Sequence, residues 1–248
     1  MAYSYAQKVI ISGKYAEVYK YRKIVWKGYE RTIDFEKEPK QLDMFEQKRL
    51  KKERVKSSIN RTRTELRRLI NSNPQLNKFL TLTFADNVTD IKISNSIFNQ
   101  FIKRLTYKYS QLEYVAVIEF QKRGAIHYHL LCSLPFIHSK LLEEIWCQGF
   151  IKIKRINHID NLGAYLSKYL GKEIDERTFG KKKFFRSQKL KQPKEITGYK
   201  AEQFIDKYLS SAVLIFEKTF YSEWTGEIKY SSFILNNQID KIMPVMIG

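Results

Sequence analysis

Three side chains close together in the sequence could hold a metal ion. His127 and His129 are two of only four histidines in the chain. They sit two apart in Ile126–Cys132, which reads as a β-strand, so both face one side of a sheet, roughly 6–7 Å apart along it. The preceding strand, Tyr114–Phe120, carries Glu119. If Lys122, Arg123 and Gly124 form a three-residue hairpin loop with Gly124 left-handed, Gln121 pairs with Ala125 and Phe120 with Ile126. Glu119 then falls opposite His127 on the same face, with Cβ atoms roughly 5 Å apart. Two imidazoles and a carboxylate make a half-filled shell for a divalent cation. Nitrogen ligands suit Mn²⁺ or Zn²⁺, and the carboxylate admits Mg²⁺. The open positions can take a substrate phosphate oxygen. The plainer reading is a pair of half-exposed histidines on a sheet. His138 and His158 lack such partners and read as surface or packing residues.

A second group could supply a nucleophile. Tyr165 and Tyr169 are four apart in a stretch with helical periodicity and share one face of it. Lys168 is within one turn of Tyr165. A phenol is a weak nucleophile at its free pKa of about 10. A nearby cation and a polarised electrophile make it competent. The plainer reading of a tyrosine pair at this spacing is packing.

The elements that must position these groups are legible around them. Phe79–Phe84 reads as a buried strand. Residues 95–109 place Ile97, Phe98, Phe101, Ile102, Leu105 and Tyr109 on one side of an amphipathic helix. After the Tyr114–Phe120 and Ile126–Cys132 strands come a short helix at Ser139–Trp146, a strand at Phe150–Ile156, and a helix at Asp160–Leu170. Asp160 or Asn161 would cap that last helix, and Gly171 would stop it. The order β-α-β-β-α-β-α predicts an α+β fold. Its first six elements are the split-βαβ, ferredoxin-like arrangement, an antiparallel sheet with both helices on one face. The tyrosine-bearing helix can then lie over the other face. The expected register turns Ala116, Ile118, Phe120, Ile126, Tyr128 and Leu130 toward the two covering helices.

Outside this core, residues 8–33 read as two or three short strands and 41–70 as a strongly basic helix that ends at Asn71–Pro74. A helix is expected near 200–209, and strands over 211–235. These features divide the chain into an N-terminal β-rich segment with its basic helix (1–74), a core (75–195) and a C-terminal α/β extension (196–248).

The net charge is +19 over 248 residues, and it is clustered. Residues 48–68 carry ten Lys/Arg against Glu53 and Glu65, and residues 181–194 carry seven with no acid. Such clusters favour a polyanionic partner, because cations displace condensed counterions from phosphates. Lys181, Lys182, Lys183 and Arg186, with Arg61 and Arg63, are the candidate DNA contacts. Hydrophobic residues make up 43% of the chain, enough for a packed core. No apolar run reaches the roughly 18 residues of a spanning helix, so a membrane partner is not expected. Cys132 and Cys147 match neither a disulfide framework nor a metal-binding spacing, as in a reducing cytoplasm.

Three segments together resemble the HUH superfamily of rolling-circle replication initiators. Phe79-Leu80-Thr81-Leu82-Thr83-Phe84 is similar to its first motif, a central strand. Gly124 to Leu131, with His127-Tyr128-His129, is similar to the second. Tyr165-Leu166-Ser167-Lys168-Tyr169 is similar to the third, in its two-tyrosine form. The resemblance covers about residues 78–193, including the tail from Phe185 to Pro193. It implies an endonuclease that nicks single-stranded origin DNA, leaving a 5′-phosphotyrosine link and a free 3′-hydroxyl primer. Glu119, His127 and His129 would hold Mg²⁺ or Mn²⁺. The partners implied are single-stranded DNA or an origin hairpin, with a host helicase and polymerase. Within the same superfamily, a transposase or relaxase is the alternative. From another class, a non-catalytic RRM-like nucleic-acid-binding module shares the ferredoxin-like scaffold, but it would carry aromatics where Glu119 and the histidines stand.

Overall fold

The computed structural model describes residues 2–29, 43–156, 162–167 and 184–235. In chain order the described elements are β1 (Tyr3–Ser12), β2 (Tyr15–Lys27), α1 (Met44–Asn71), β3 (Lys78–Thr83), α2 (Ile91–Lys108), β4 (Tyr114–Phe120) and β5 (Ile126–Cys132). They continue with α3 (Ser139–Trp146), β6 (Ile151–Arg155), α4 (Leu162–Ser167), β7 (Phe184–Arg186), β8 (Lys194–Thr197), α5 (Tyr199–Phe204), β9 (Val213–Ser222) and β10 (Gly226–Ile234). A single π-helical turn, Ile205–Leu209, continues α5.

The chain forms two compact units, Asp43–Lys191 and a second that joins Met1–Leu42 to Gln192–Gly248. This division differs from the one expected at residues 74 and 195. The basic helix α1 belongs with the ferredoxin-like core because its last turns bury Leu66, Leu69 and Ile70 with Phe79, Val115 and Leu131 of the sheet. The two end segments form one sheet, because β8 pairs with β1 and β10 pairs with β2.

In the Asp43–Lys191 unit the sheet order is β6-β3-β5-β4-β7, antiparallel throughout. The first four strands follow the ferredoxin-like order that the sequence predicts. Helices α2 and α3 cover one face. Asp90 caps α2 by accepting from the backbone of Lys92 and Ile93. Its apolar stripe then buries Phe98, Phe101 and Leu105 with Ala116, Ile126, Tyr128 and Leu130. The rings of Phe98 and Tyr128 stack at 4.3 Å. Ile118 and Phe120 pack at the margin of this cluster, as the expected register requires.

The other face is covered by the C-terminal part of α1 together with α4, which contributes Leu166 to a cluster with Val117 and Leu131. Helix α1 begins at Asp43, whose side chain accepts from Glu46 N, and ends where Ser72 N bonds to Arg68 O. At about 1.5 Å per residue it is roughly 42 Å long. Asn73, fully buried, holds its end in place. The Asn73 amide donates to Leu69 O at 2.7 Å and Lys191 O at 2.9 Å, and accepts from Lys191 N at 3.0 Å.

In the second unit the sheet order is β8-β1-β2-β10-β9. One face buries Val9, Ile11, Ala16 and Val18 against Ala201, Phe204 and Leu209 of α5 and its continuation. The expected helix near 200–209 and the hairpin around Thr225 and Gly226 both form. Among the described residues, no helix is long and apolar enough to cross a membrane.

Candidate functional site

The hairpin between β4 and β5 sets the geometry of the site. Gly124 has φ of 85°, where a side chain would be strained, and its N–H donates to Gln121 O at 2.7 Å. Gln121 N donates to Ala125 O at 2.8 Å. The loop is therefore three residues long, and Glu119 stands opposite His127. On the other side of β5, β3 places Thr81 opposite His129 and Thr83 opposite His127. Glu119, His127, His129, Thr81 and Phe79 thus share one face.

Each polar group has a different environment. Glu119 Oε2 lies 2.5 Å from His129 Nε2. The other ring nitrogen of His129, Nδ1, is 3.2 Å from Thr81 Oγ1. If the threonine oxygen accepts from Nδ1–H, the lone pair of His129 is left on Nε2, toward Glu119. His127 is buried, and its Nε2 has no hydrogen-bond partner. Its Nδ1 meets only the Gln121 side-chain nitrogen at 3.4 Å, a long contact that fixes the ring weakly. Burial, the neighbouring His129 and, less strongly, Arg123 hold the His127 pKa below its ordinary value, while Glu119 raises it in part. The imidazole is therefore neutral near pH 7, with a lone pair to offer.

Among the described residues, no three His, Cys, Asp or Glu side chains stand close enough together to hold an ion as they are. Glu119 and His129 are turned onto one another, and the His127 nitrogen is left alone. The donor set itself fits a divalent cation. A buried imidazole nitrogen without a partner costs free energy that a bound ion would recover. The second nitrogen ligand and the carboxylate lie on the same face.

Tyr165 lies on α4, half-buried over this face. Its ring packs edge-on against Phe79 at 5.3 Å, and Phe79 in turn stacks on His129 at 5.6 Å with an interplanar angle of 17°. A glycine sets how closely α4 approaches α1. A Cβ built on Gly163 would come within 2.5 Å of Arg67 O and 2.7 Å of Asn71 Oδ1. No flexible side chain could yield there, because Arg67 O is backbone. The sequence did not mark Thr81, Phe79 or Gly163 as site residues. The alternation in Phe79–Phe84 does place Thr81 and Thr83 on one face, but nothing local shows that His129 stands beside them.

The remaining candidates are spread. Arg186 is exposed on the edge strand β7 and pairs with Val115, so it lies on the same face as the histidines. Arg61 is exposed on α1 and Arg63 half-exposed. His138 is exposed at the start of α3 and packs against Phe136. His158, Lys168, Tyr169, Lys181, Lys182 and Lys183 lie outside the described residues, as do the expected cap and stop of the tyrosine helix. Cys132 and Cys147 are both free thiols.

Comparison with known proteins places the same region in a replication context. Residues 77–174 match the replication-associated protein ORF2 family. A curated relative from Escherichia coli, the phasyl DNA replicon protein arp, is 30% identical over 128 residues, covering 40% of this chain and 45% of its own length. The chain thus spans under half of that relative. No solved structure gives a significant match. The two matches support a replication initiator, a Rep protein.

Proposed function

Taking residues 77–174 as a replication-associated protein domain, we propose that the chain initiates rolling-circle replication by nicking single-stranded origin DNA with a tyrosine. The observation that carries this reading is the series of ring contacts His129–Phe79–Tyr165, which brings a phenol-bearing helix over the Glu119–His127–His129 face. The buried valines and leucines beneath α1 and α4 favour it over a base-stacking module, because that face is covered.

Glu119, His127 and His129 would hold Mg²⁺ or Mn²⁺, which when bound would neutralise charge on the scissile phosphate. Tyr165 supplies the attacking oxygen. A bond forms from its phenolic oxygen to phosphorus, and the bond from phosphorus to the 3′ oxygen breaks. The phenolic proton is lost and the 3′ oxygen takes one up, which leaves a primer end for a host polymerase. Phe79 and Gly163 fix the height and tilt of the tyrosine helix. Lys168 would stabilise the phenolate, and Tyr169 would accept the strand in a second cleavage. Arg186, Arg61, Arg63 and the lysines at 181–183 would bind the DNA backbone. A host helicase would open the duplex, in the cytoplasm.

The test is incubation with end-labelled single-stranded origin DNA and Mn²⁺, followed by a denaturing gel and mass spectrometry. The expected result is a covalent adduct on Tyr165 that Tyr165→Phe abolishes. Cleavage without an adduct, or an adduct that survives His127→Ala and His129→Ala together, would overturn the reading.

A further inference from the structure

On the far side of the sheet from Tyr165, α2 and α3 border an open groove of about 550 Å³ lined by Lys103, Arg104, Tyr107, Lys108 and Ile145. Three of these five residues are cations. Among the described residues, no carboxylate forms an ion pair with any of them. Lys103 and Tyr107 are one turn apart on α2, as are Arg104 and Lys108, so the four make two adjacent rows. Arg104 is drawn across the groove by donating to Ile145 O at 2.9 Å. Tyr107 is 95% exposed. The phenol ring therefore stands in water with cations on either side, and packing does not explain its place there.

Lysine at the end of a helix also favours the macrodipole, which accounts for Lys108. It does not account for an exposed ring beside Lys103 and Arg104. An aromatic face flanked by phosphate-binding cations suits single-stranded nucleic acid, in which a base can stack while the backbone meets Lys and Arg. A duplex hides its base faces and could use only the cations. An acidic peptide would satisfy the cations but leave the ring without a planar partner.

We propose that the α2–α3 groove is a second binding surface for single-stranded DNA, with a base stacked on Tyr107 and its phosphates held by Lys103, Arg104 and Lys108. The choice of DNA rests on the reading of the chain as a replication initiator; the stacking site does not. A strand that reaches both the groove and the tyrosine passes round the edge of the domain, so longer strands gain from both.

The experiment uses the full chain with oligothymidines of about 8 and about 30 nucleotides, within and beyond the usual footprint of one single-strand module. Binding is measured by fluorescence anisotropy over a salt series without divalent cation, so that no nicking enters. Oligomers bearing 5-iodouracil are photo-crosslinked and the adduct is mapped. The expected crosslink is on Tyr107. Tyr107→Ala should weaken binding of the longer strand roughly 5- to 100-fold, and Tyr107→Trp should restore it. Lys103→Glu with Lys108→Glu should lower the salt slope by roughly 0.7 for each phosphate that is no longer held. Ile93→Ala, an exposed residue of α2 outside the groove, should change nothing. Unchanged affinity in Tyr107→Ala and a crosslink map without α2 would overturn the proposal. If the wild-type chain never nicks but Tyr107 still crosslinks, the replication reading fails and the groove stands.

Discussion

On the side of the β4–β5 hairpin that α2 and α3 cover, Ile126, Tyr128 and Leu130 are fully buried. The polar atom among them is satisfied, since the Tyr128 hydroxyl donates to Asn95 Oδ1 at 2.7 Å and lies 3.1 Å from Ser94 Oγ. One residue along the same strand, the opposite face carries His127, nearly as buried, with a ring nitrogen that has no partner. The two faces are built from one strand, yet one is arranged for packing and the other against it. A strand can do this because its side chains alternate, so stability and chemistry are separated by a single residue step.

Breaking each face in turn should give opposite results. The largest effect is expected at His127. His127→Leu removes a buried nitrogen without a partner, so nicking should fall by more than about 100-fold, beyond the loss expected from an outer-shell partner. Folding should be unharmed or improved, since replacing an unsatisfied buried polar group by an apolar one of similar shape is neutral or stabilising. On the other face, Phe98→Ala should cost about 3–5 kcal/mol of stability and leave turnover per folded molecule unchanged. Calorimetry and single-turnover nicking on both variants check the pair, and a His127→Leu protein that melts well below wild type would break the comparison. The same residue gives a pH dependence. Its folded pKa is depressed below the ordinary value of 6.5, so the unfolded chain binds the proton more readily. Stability from neutral His127 is complete above about pH 6.5 and is lost as the pH falls toward the folded value. The melting temperature of wild type minus that of His127→Leu should therefore drop in acid.

Next in size is Gly163→Ala. Its Cβ would press on Arg67 O, and α4 must shift. Misplacing a reactive group by about 1 Å can cost about 100-fold in rate. Single-turnover nicking should fall by that order while the dissociation constant for DNA stays level, and an equal loss in both would show a general disruption.

Smaller again is Thr81→Val, which keeps the shape and removes the oxygen beside His129 Nδ1. The Mn²⁺ concentration for half-maximal nicking should rise about 10-fold. An unchanged requirement would mean that Thr81 does not orient the ring.

The smallest effect concerns the thiols. Cys132 is buried on the packed face, and burial pushes its pKa up to about 12. Cys147 is exposed. A thiol reagent should label Cys147 in the native protein without altering nicking, and Cys132 only on unfolding. Rapid labelling of both would show that the packed face opens readily.

Much of this contrast could be read from the sequence, because it depends on short-range rules. Gly124 fixes the loop length, the loop fixes the register, and the register brings Glu119 to His127. The alternation in Ile126–Cys132 assigns every residue to a face. The order of the first four core strands followed in the same way. What lay beyond reach depended on long-range contacts. The basic helix was legible as a helix, but its stripe of Leu66, Leu69 and Ile70 is masked by charge, and its partner Gly163 lies far along the chain. Strand β7 is short, sits inside a basic run, and exists only because β4 offers an edge. The union of the two chain ends in one sheet has no local signal either. For the tyrosines, only Tyr165 can be judged, since Tyr169 lies outside the described residues.

Asn73 joins the end of α1 to the backbone of Lys191, a separation of 118 residues. A chain leaving the ribosome at about 5–20 residues per second makes that connection roughly 6–24 s after Asn73 itself appears. Through that interval α1 has its apolar stripe formed but its final anchor not yet synthesised, while the β3–β6 core can already fold from nearer contacts. The tyrosine helix docks on α1, so the nucleophile is seated late, after the histidine face has been built. Newly made molecules would therefore pass through a stage in which the metal-binding face exists before the tyrosine is held over it.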